Sequence, residues 1–360
     1  SDYIVTGNAD AWNKEDLTIS PTGDYTEIST DGITWSSSIT LSTEGSSTVD
    51  FYLKKGDGSI AEKLTYTYKL DKTAPTATLA VEENQWTSFL NTITFGYFFK
   101  ENQSITITSS DASGSGIAST GYYVMELSDN TADFDASPAE AALYTYTSGT
   151  SFNIQPDKNV IIFVRLEDQA GNVSYLNTQG LVLDGTAPAI SGLTDGATYY
   201  TTQNITITDT NLDTVTLNSS AFTGSALQGD VNRTYVLVAT DLAGNTTAYT
   251  MTMKTIASLA APIEGLAADN VNAGDEAAIM AVKAAVQGVN TEDATQEEKD
   301  KLAAITATCG TLLDKITAVA RDISAVLTKL GTLGEANAKS TDRTVLEEVL
   351  ADLQLLLDSD

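Results

Sequence analysis

Two nearly identical phrases constrain this chain more than any other feature. Leu-Asp-Lys-Thr-Ala-Pro occupies residues 70–75, and Leu-Asp-Gly-Thr-Ala-Pro occupies residues 183–188. A second phrase, Asp-x-Ala-Gly-Asn, stands at 168–172 and again at 241–245. Gly58 precedes Pro75 by the same interval that separates Gly171 from Pro188, so two stretches of chain end alike. Repetition on this scale means modules built to one plan. The chemistry of both phrases is that of turns and joints. Asp168 and Asp241 can accept N–H groups of a tight turn that Asn172 and Asn245 complete, and Gly171 and Gly244 supply its left-handed residue. In the other phrase, which opens on Asp71 and Asp184, Pro75 and Pro188 have no N–H for a central ladder and hold the preceding Ala extended. It reads as a short, stiff joint. The units so marked run 1–74, 75–187 and 188–256.

Within these units short alternating runs recur, among them Leu17-Thr-Ile19, Val49 to Leu53, Ile105-Thr-Ile107, Val160 to Leu166, Ile205-Thr-Ile207 and Tyr235 to Val238. Clusters of Gly, Asn, Asp and Ser separate them. This is the pattern of half-buried antiparallel strands in sandwiches. Ile93, Phe95, Tyr97 and Phe99 alternate in the same way and are expected on one core face, with Phe98 turned away.

From Ala257 the chain turns to Ala, Leu, Glu and Lys, and its period becomes helical. One helix is read over 274–289, with Asn272 as cap and Ile279, Val282, Val286 and Val289 as its stripe. A second opens on the capping box Thr295-Gln-Glu-Glu298. Its apolar positions, Leu302, Ile305, Cys309, Leu312, Ile316, Val319, Ile323, Val326 and Leu330, alternate steps of three and four through Gly310. That seam predicts one helix of about 35 residues, roughly 52 Å long. A third helix is read over 342–357 with Leu346, Val349, Leu353 and Leu356, so that residues 257–360 form a three-helix module. The expected fold is thus multidomain: tandem all-β sandwiches, then an all-α module with one long central helix.

The chain has 48 acidic and 19 basic residues among 360, a net charge of −29, which repels phosphate backbones and makes nucleic acid an unsuitable partner. Histidine is absent, which removes the commonest general base and metal ligand. No frame of catalytic residues is visible, so the expectation is a protein that is not an enzyme and needs no cofactor. Cys309 is the single cysteine and falls on the helical seam, so no disulfide framework exists and it reads as a buried hydrophobe. The sharpest metal candidate is Asp209, Asn211 and Asp213, whose alternate oxygens match the opening of a calcium loop. Thr214 stands where such a loop needs Gly, and no Glu closes the frame. Trp12, Trp35, Trp86 and the pair Tyr199-Tyr200 are expected to plug sandwich ends and joints rather than form a sugar platform. No unbroken apolar run of about 18 residues is present, so no membrane span is expected.

The two Leu-Asp-x-Thr-Ala-Pro phrases, the two Asp-x-Ala-Gly-Asn hairpins, residues 86–96 and Ile-Ser-Thr-Asp-Gly at 28–32 resemble the bacterial Ig-like domains of Gram-positive surface proteins. The resemblance covers about 1–256. The first unit departs from it, with Gly-Asp-Gly in place of the hairpin phrase. Asp-Asn-Val-Asn at 269–272, Asp-Glu-Ala-Ala-Ile at 275–279 and Asp-Ala-Thr-Gln-Glu-Glu-Lys at 293–299 resemble FIVAR-type helical modules of the same class of protein. The resemblance implies an extracellular, cell-surface location and a monomeric, extended stalk or spacer that contributes to adhesion. Its partners would be other domains of the same surface protein. Two further readings stay open: an adhesin-type module for host or dietary glycan or matrix protein, and the accessory region of an extracellular glycan-active enzyme.

Overall fold

A computed structural model describes residues 1–112, 114–331 and 343–357. The chain divides into two compact units: residues 1–186 with 243–245, and residues 187–242 with 246–360.

The first unit holds two β-sandwiches. In the first, strands Tyr3–Val5, Leu17–Pro21 and Ile39–Leu41 face a four-stranded sheet ordered Trp12–Asn13, Leu64–Leu70, Gly45–Lys55, Tyr25–Ser29. Alternation delivers Leu17, Ile19, Ile28, Phe51, Leu53 and Leu70 to a single core. The second sandwich is larger. A sheet ordered Ser151–Ile154, Gln103–Ser110, Thr76–Val81, Asn84–Trp86 packs on one built around the central strand Lys158–Asp168. In that strand Val160 through Val164 are all buried, because both faces of the sheet are covered. One face meets Leu79, Val81, Ile105 and Ile107. The other meets Ile93, from the short strand Thr92–Ile93, and Ala136 and Ala141, brought by an excursion that contains the single-turn helix α1 (Pro138–Ala141). The 93–99 stretch therefore does not share one face. Ile93 joins this outer cluster, whereas Tyr97 and Phe99 join the sandwich core, with a register shift between Phe95 and Tyr97.

The second unit opens with a third sandwich. Its main sheet is ordered Thr198–Tyr199, Thr246–Met253, Arg233–Asp241, Leu212–Leu217, Ser220–Ala221. The run at 203–208 is two strands rather than one: Gln203–Asn204 pairs with Ala226–Leu227, and Thr206–Thr208 pairs with Ala189–Ser191. A 3-10 helix, Ile256–Ile263, follows directly, and its Ile256, Leu259 and Ile263 enter the helical core. Then come α2 (Glu276–Gln287), α3 (Gln296–Gly331) and α4 (Arg343–Leu357). Asn272 and Asp275 form a reciprocal capping box ahead of α2. α2 packs on α3 through Ile279, Val282 and Val286 against Leu302, Cys309, Leu312 and Ile316. α4 also packs on α3, with Val349 and Val326 buried.

The seam of α3 is buried unevenly, for Ile323 and Leu330 are exposed, as are Leu346 and Leu350 of α4. The side chains of Leu353 and Leu356 lie outside the described residues. By length and composition α3 is long and apolar enough to cross a membrane, with an 18-residue window of mean hydropathy 1.3. Its Leu, Ile, Val and Ala residues raise that mean, while Thr, Gly and the charged residues between them interrupt any long apolar run. The seam residues of its first half face α2 and the 3-10 helix.

Candidate functional sites at the module joints

The joint after the first sandwich is built from both repeated phrases at once. Asp71 is 1% exposed. Its Oδ1 accepts the Thr73 N–H (3.1 Å) and its Oδ2 accepts the Ser115 N–H (2.7 Å). Across the joint, Asn172 Nδ2 donates to the Asp71 carbonyl (2.9 Å) and to Asp168 Oδ2 (2.8 Å), while Asn172 N–H bonds Asp168 Oδ1 (2.8 Å). Ser174 Oγ donates to the Pro75 carbonyl. The hairpin thus caps its own turn and clasps the joint. Gly171 takes φ +91°, which lets the turn close without a Cβ clash.

The second copy follows the same rules. Asp184 Oδ1 accepts the Thr186 N–H (3.1 Å), and Asn245 Nδ2 donates to the Asp184 carbonyl (2.7 Å). Thr247 Oγ1 donates to the Pro188 carbonyl (2.5 Å), and Gly244 takes φ +86°. Asp241 is buried at the end of its strand, paired with Leu212.

Asp111 was not singled out in the sequence, yet its carboxylate joins those of Asp71 and Asp168, with one oxygen of each lying within 4.8 Å of the others. Gly114 makes this approach feasible, since a Cβ there would sit 2.3 Å from Asp71 Oδ2. Burial works to raise the Asp71 carboxyl, but the Ser115 and Thr73 hydrogen bonds outweigh it and hold the group below its ordinary value. These three residues offer the hard oxygen donors a divalent cation such as calcium takes. No ion pair among the described residues involves any of them.

Asp209, Asn211 and Asp213 lie at the entry to a strand of the third sandwich. Asp209 Oδ1 accepts the Asn211 N–H (2.7 Å), the strand begins at Leu212, and Asp213 falls at a register shift with an exposed side chain. Only a short turn separates Asp209 from the strand.

Within the second unit, the third sandwich is bonded to the helical module through Glu298. This side chain is 5% exposed. Its Oε2 accepts the Thr295 N–H (2.8 Å), closing the capping box, and its Oε1 accepts Thr202 N–H (3.0 Å) and Thr202 Oγ1–H (2.9 Å). Gly229 permits the approach, because a Cβ there would lie 2.4 Å from Glu298 Oε1. Nearby, Asp293 receives Asn204 Nδ2 (2.7 Å) and the Asn204 N–H (3.0 Å), and Lys301 pairs with Asp230 (2.6 Å). Burial pushes the Asp230 carboxyl up, but Lys301 and the Ile256 N–H hold it below its ordinary range. The capping box was readable in the sequence; its second set of partners, distant in sequence, was not.

Trp35, Trp86, Tyr199 and Tyr200 enter different surroundings. Trp86 packs edge-on to Tyr97 in the core (5.3 Å), and Lys54 covers Trp35 (4.7 Å). Tyr199 joins the third sandwich core while Tyr200 joins the helical core.

No protein-family model matches this sequence, and no curated protein matches it. Solved structures are similar at low TM-score. The Clostridium thermocellum CbhA fibronectin(III)-like modules match with 14% identity over 50% of this chain and 94% of theirs, TM-score 0.24. Three N-terminal domains of the bacteriophage RB49 highly immunogenic outer capsid protein match with 10% identity over 71% of this chain and 99% of theirs, TM-score 0.32. Chicken CNTN1 FN1–FN3 domains match with 9% identity over 70% and 98%, TM-score 0.24.

Proposed function

We propose that this chain is a non-catalytic spacer of a bacterial surface protein, whose first two Ig-like modules are held together by a bonded joint. The observation that supports this most directly is the clasp of Asn172 on the Asp71 carbonyl, together with Ser174 on the Pro75 carbonyl. A flexible linker leaves its backbone groups to water, whereas this joint spends side-chain hydrogen bonds on them. The Leu-Asp-x-Thr-Ala-Pro joint is bonded to the Asp-x-Ala-Gly-Asn hairpin, so the two phrases together stiffen the link between the first two sandwiches. An extracellular, cell-surface setting fits the acidic composition and the Gram-positive resemblance.

The test is a distance distribution between spin labels in the full chain, at Glu62→Cys and Ser151→Cys, with Cys309 replaced by Ala. The spacer reading expects one narrow distribution that broadens when Asn172 and Ser174 are both changed to Ala. A distribution equally broad in both proteins would overturn it. Running the experiment with calcium and with chelator shows whether the Asp71, Asp111 and Asp168 carboxylates add to the stiffness.

A further inference from the structure

A cleft of about 320 Å³ lies in the second unit, between the edge of the third sandwich and the end of α2. Its walls include Tyr199, Tyr200 and Gln203 from the sandwich and Ala285 and Asn290 from the helical module. No charged residue lines it. Gln203 is 2% exposed, and its Nε2 is held by the Thr201 carbonyl (3.0 Å), Thr201 Oγ1 (3.1 Å) and the Thr202 carbonyl (2.8 Å). Those bonds fix which way the amide points. Its Oε1 has no partner among the described residues. Fully buried side-chain polar atoms among those residues are all paired, so this oxygen is not sealed from solvent, and Gln203 is among the residues that line the cleft. The Tyr200 hydroxyl likewise has no hydrogen-bond partner among the described residues.

Gln103 is buried at the same place in the second sandwich and is held by the Glu101 carbonyl (3.1 Å). The strand start therefore sets the orientation of the glutamine. What the helical module adds at Gln203 is the opposite wall.

We infer that this cleft binds one neutral sugar unit of a glycan. A carboxamide oxygen with its orientation locked and no partner of its own is an acceptor for a hydroxyl. Asn290 Oδ1 accepts the Glu292 N–H (2.9 Å), which leaves its Nδ2 as a donor. Tyr199 and Tyr200, each half-buried against a different core, both line the cleft, and an aromatic ring is a surface on which a pyranose face packs. The volume is at the small end for ligand sites, which suits one ring rather than a longer chain. The uncharged lining, in a protein of net charge −29, selects against anionic sugars.

The experiment is saturation-transfer NMR and titration of the full chain with glucose, galactose, mannose, xylose and N-acetylglucosamine, with glucuronic acid and N-acetylneuraminic acid as anionic controls. Saturable millimolar binding of at least one neutral sugar is expected, and of neither acid. Ala285→Trp, at an exposed helix position, fills the cleft and weakens binding at least about tenfold. Asn290→Asp keeps the Glu292 contact and loses the donor, so it weakens binding even if the tryptophan variant misfolds. Saturable binding that both variants retain, binding of the acids alone, or no saturable binding of any neutral sugar would overturn the inference.

Discussion

Glu298 and Thr202 form the bond that ties helix start to sandwich edge: one carboxylate oxygen takes both the N–H and the hydroxyl of Thr202 while the other closes the cap of α3. Two jobs that are usually separate, capping a helix and docking a domain, fall to a single buried side chain. Glu298→Ala removes the cap acceptor and leaves the Thr202 donors unpaired, and each of these costs about 1 kcal/mol or more. The expected total is roughly 2–3 kcal/mol, read as a lower melting temperature in calorimetry. Amide exchange should quicken at the start of α3 and at Thr202 together. Faster exchange at only one of them would show that the two roles are independent.

Asn172 offers a matching test in the first unit. Asn172→Ala loses bonds to Asp168 and to the Asp71 carbonyl, and about 1–2 kcal/mol of stability is expected to go with them. Gly171→Ala, at φ +91°, strains the turn by about 1 kcal/mol without touching the joint. In denaturant melts both variants should be less stable. Only Asn172→Ala should broaden the label distance between the first two sandwiches.

Acid should loosen the joint. Hydrogen bonds hold the Asp71 carboxyl below its ordinary value, so it stabilises the fold while ionised. That contribution is complete above about pH 4 and is lost as pH falls through the folded-state value. Asp71→Asn is expected to melt below the parent at pH 6, with the gap narrowing as pH falls below about 4. A gap that stays constant across this range would show that the charge on Asp71 contributes nothing.

Gly310 lies inside α3 with open space where a Cβ would go. Gly310→Ala should therefore stabilise the helical module by up to about 1 kcal/mol, seen as a higher melting temperature. A lower one would show that the helix needs a weak point there.

Cys309 is buried between α2 and α3, and burial pushes its thiol up. A thiol reagent at neutral pH should label it slowly in the native chain and rapidly in denaturant. Rapid native labelling would mean that α2 separates from α3 on the timescale of the reaction.

Much of this architecture was legible because it is local. Alternation placed Leu17, Ile19, Ile105 and Ile107 in strands and in cores, and the Thr295–Glu298 box and the seam through Gly310 placed a single helix of 36 residues. Gly171 and Gly244 have the left-handed backbone that the hairpin phrase demands. In each case the residues that determine the structure are neighbours along the chain, so their spacing carries the information.

Other features depend on residues far apart in sequence. Ile93 leaves the face shared by Tyr97 and Phe99 because an excursion covers the outer side of the second sandwich's sheet. Asp111 meets Asp71 and Asp168 because a glycine lets one loop press against another. Glu298 finds Thr202, and Gln203 finds a wall opposite it, only once the helical module has docked. By itself the sequence determined the kinds of modules, their order and the turns that end them, since backbone conformation and hydrophobic period are local properties. The tertiary structure decided which carboxylates gather, which caps have second partners and where a cleft opens, since those depend on distances that no spacing along a chain encodes.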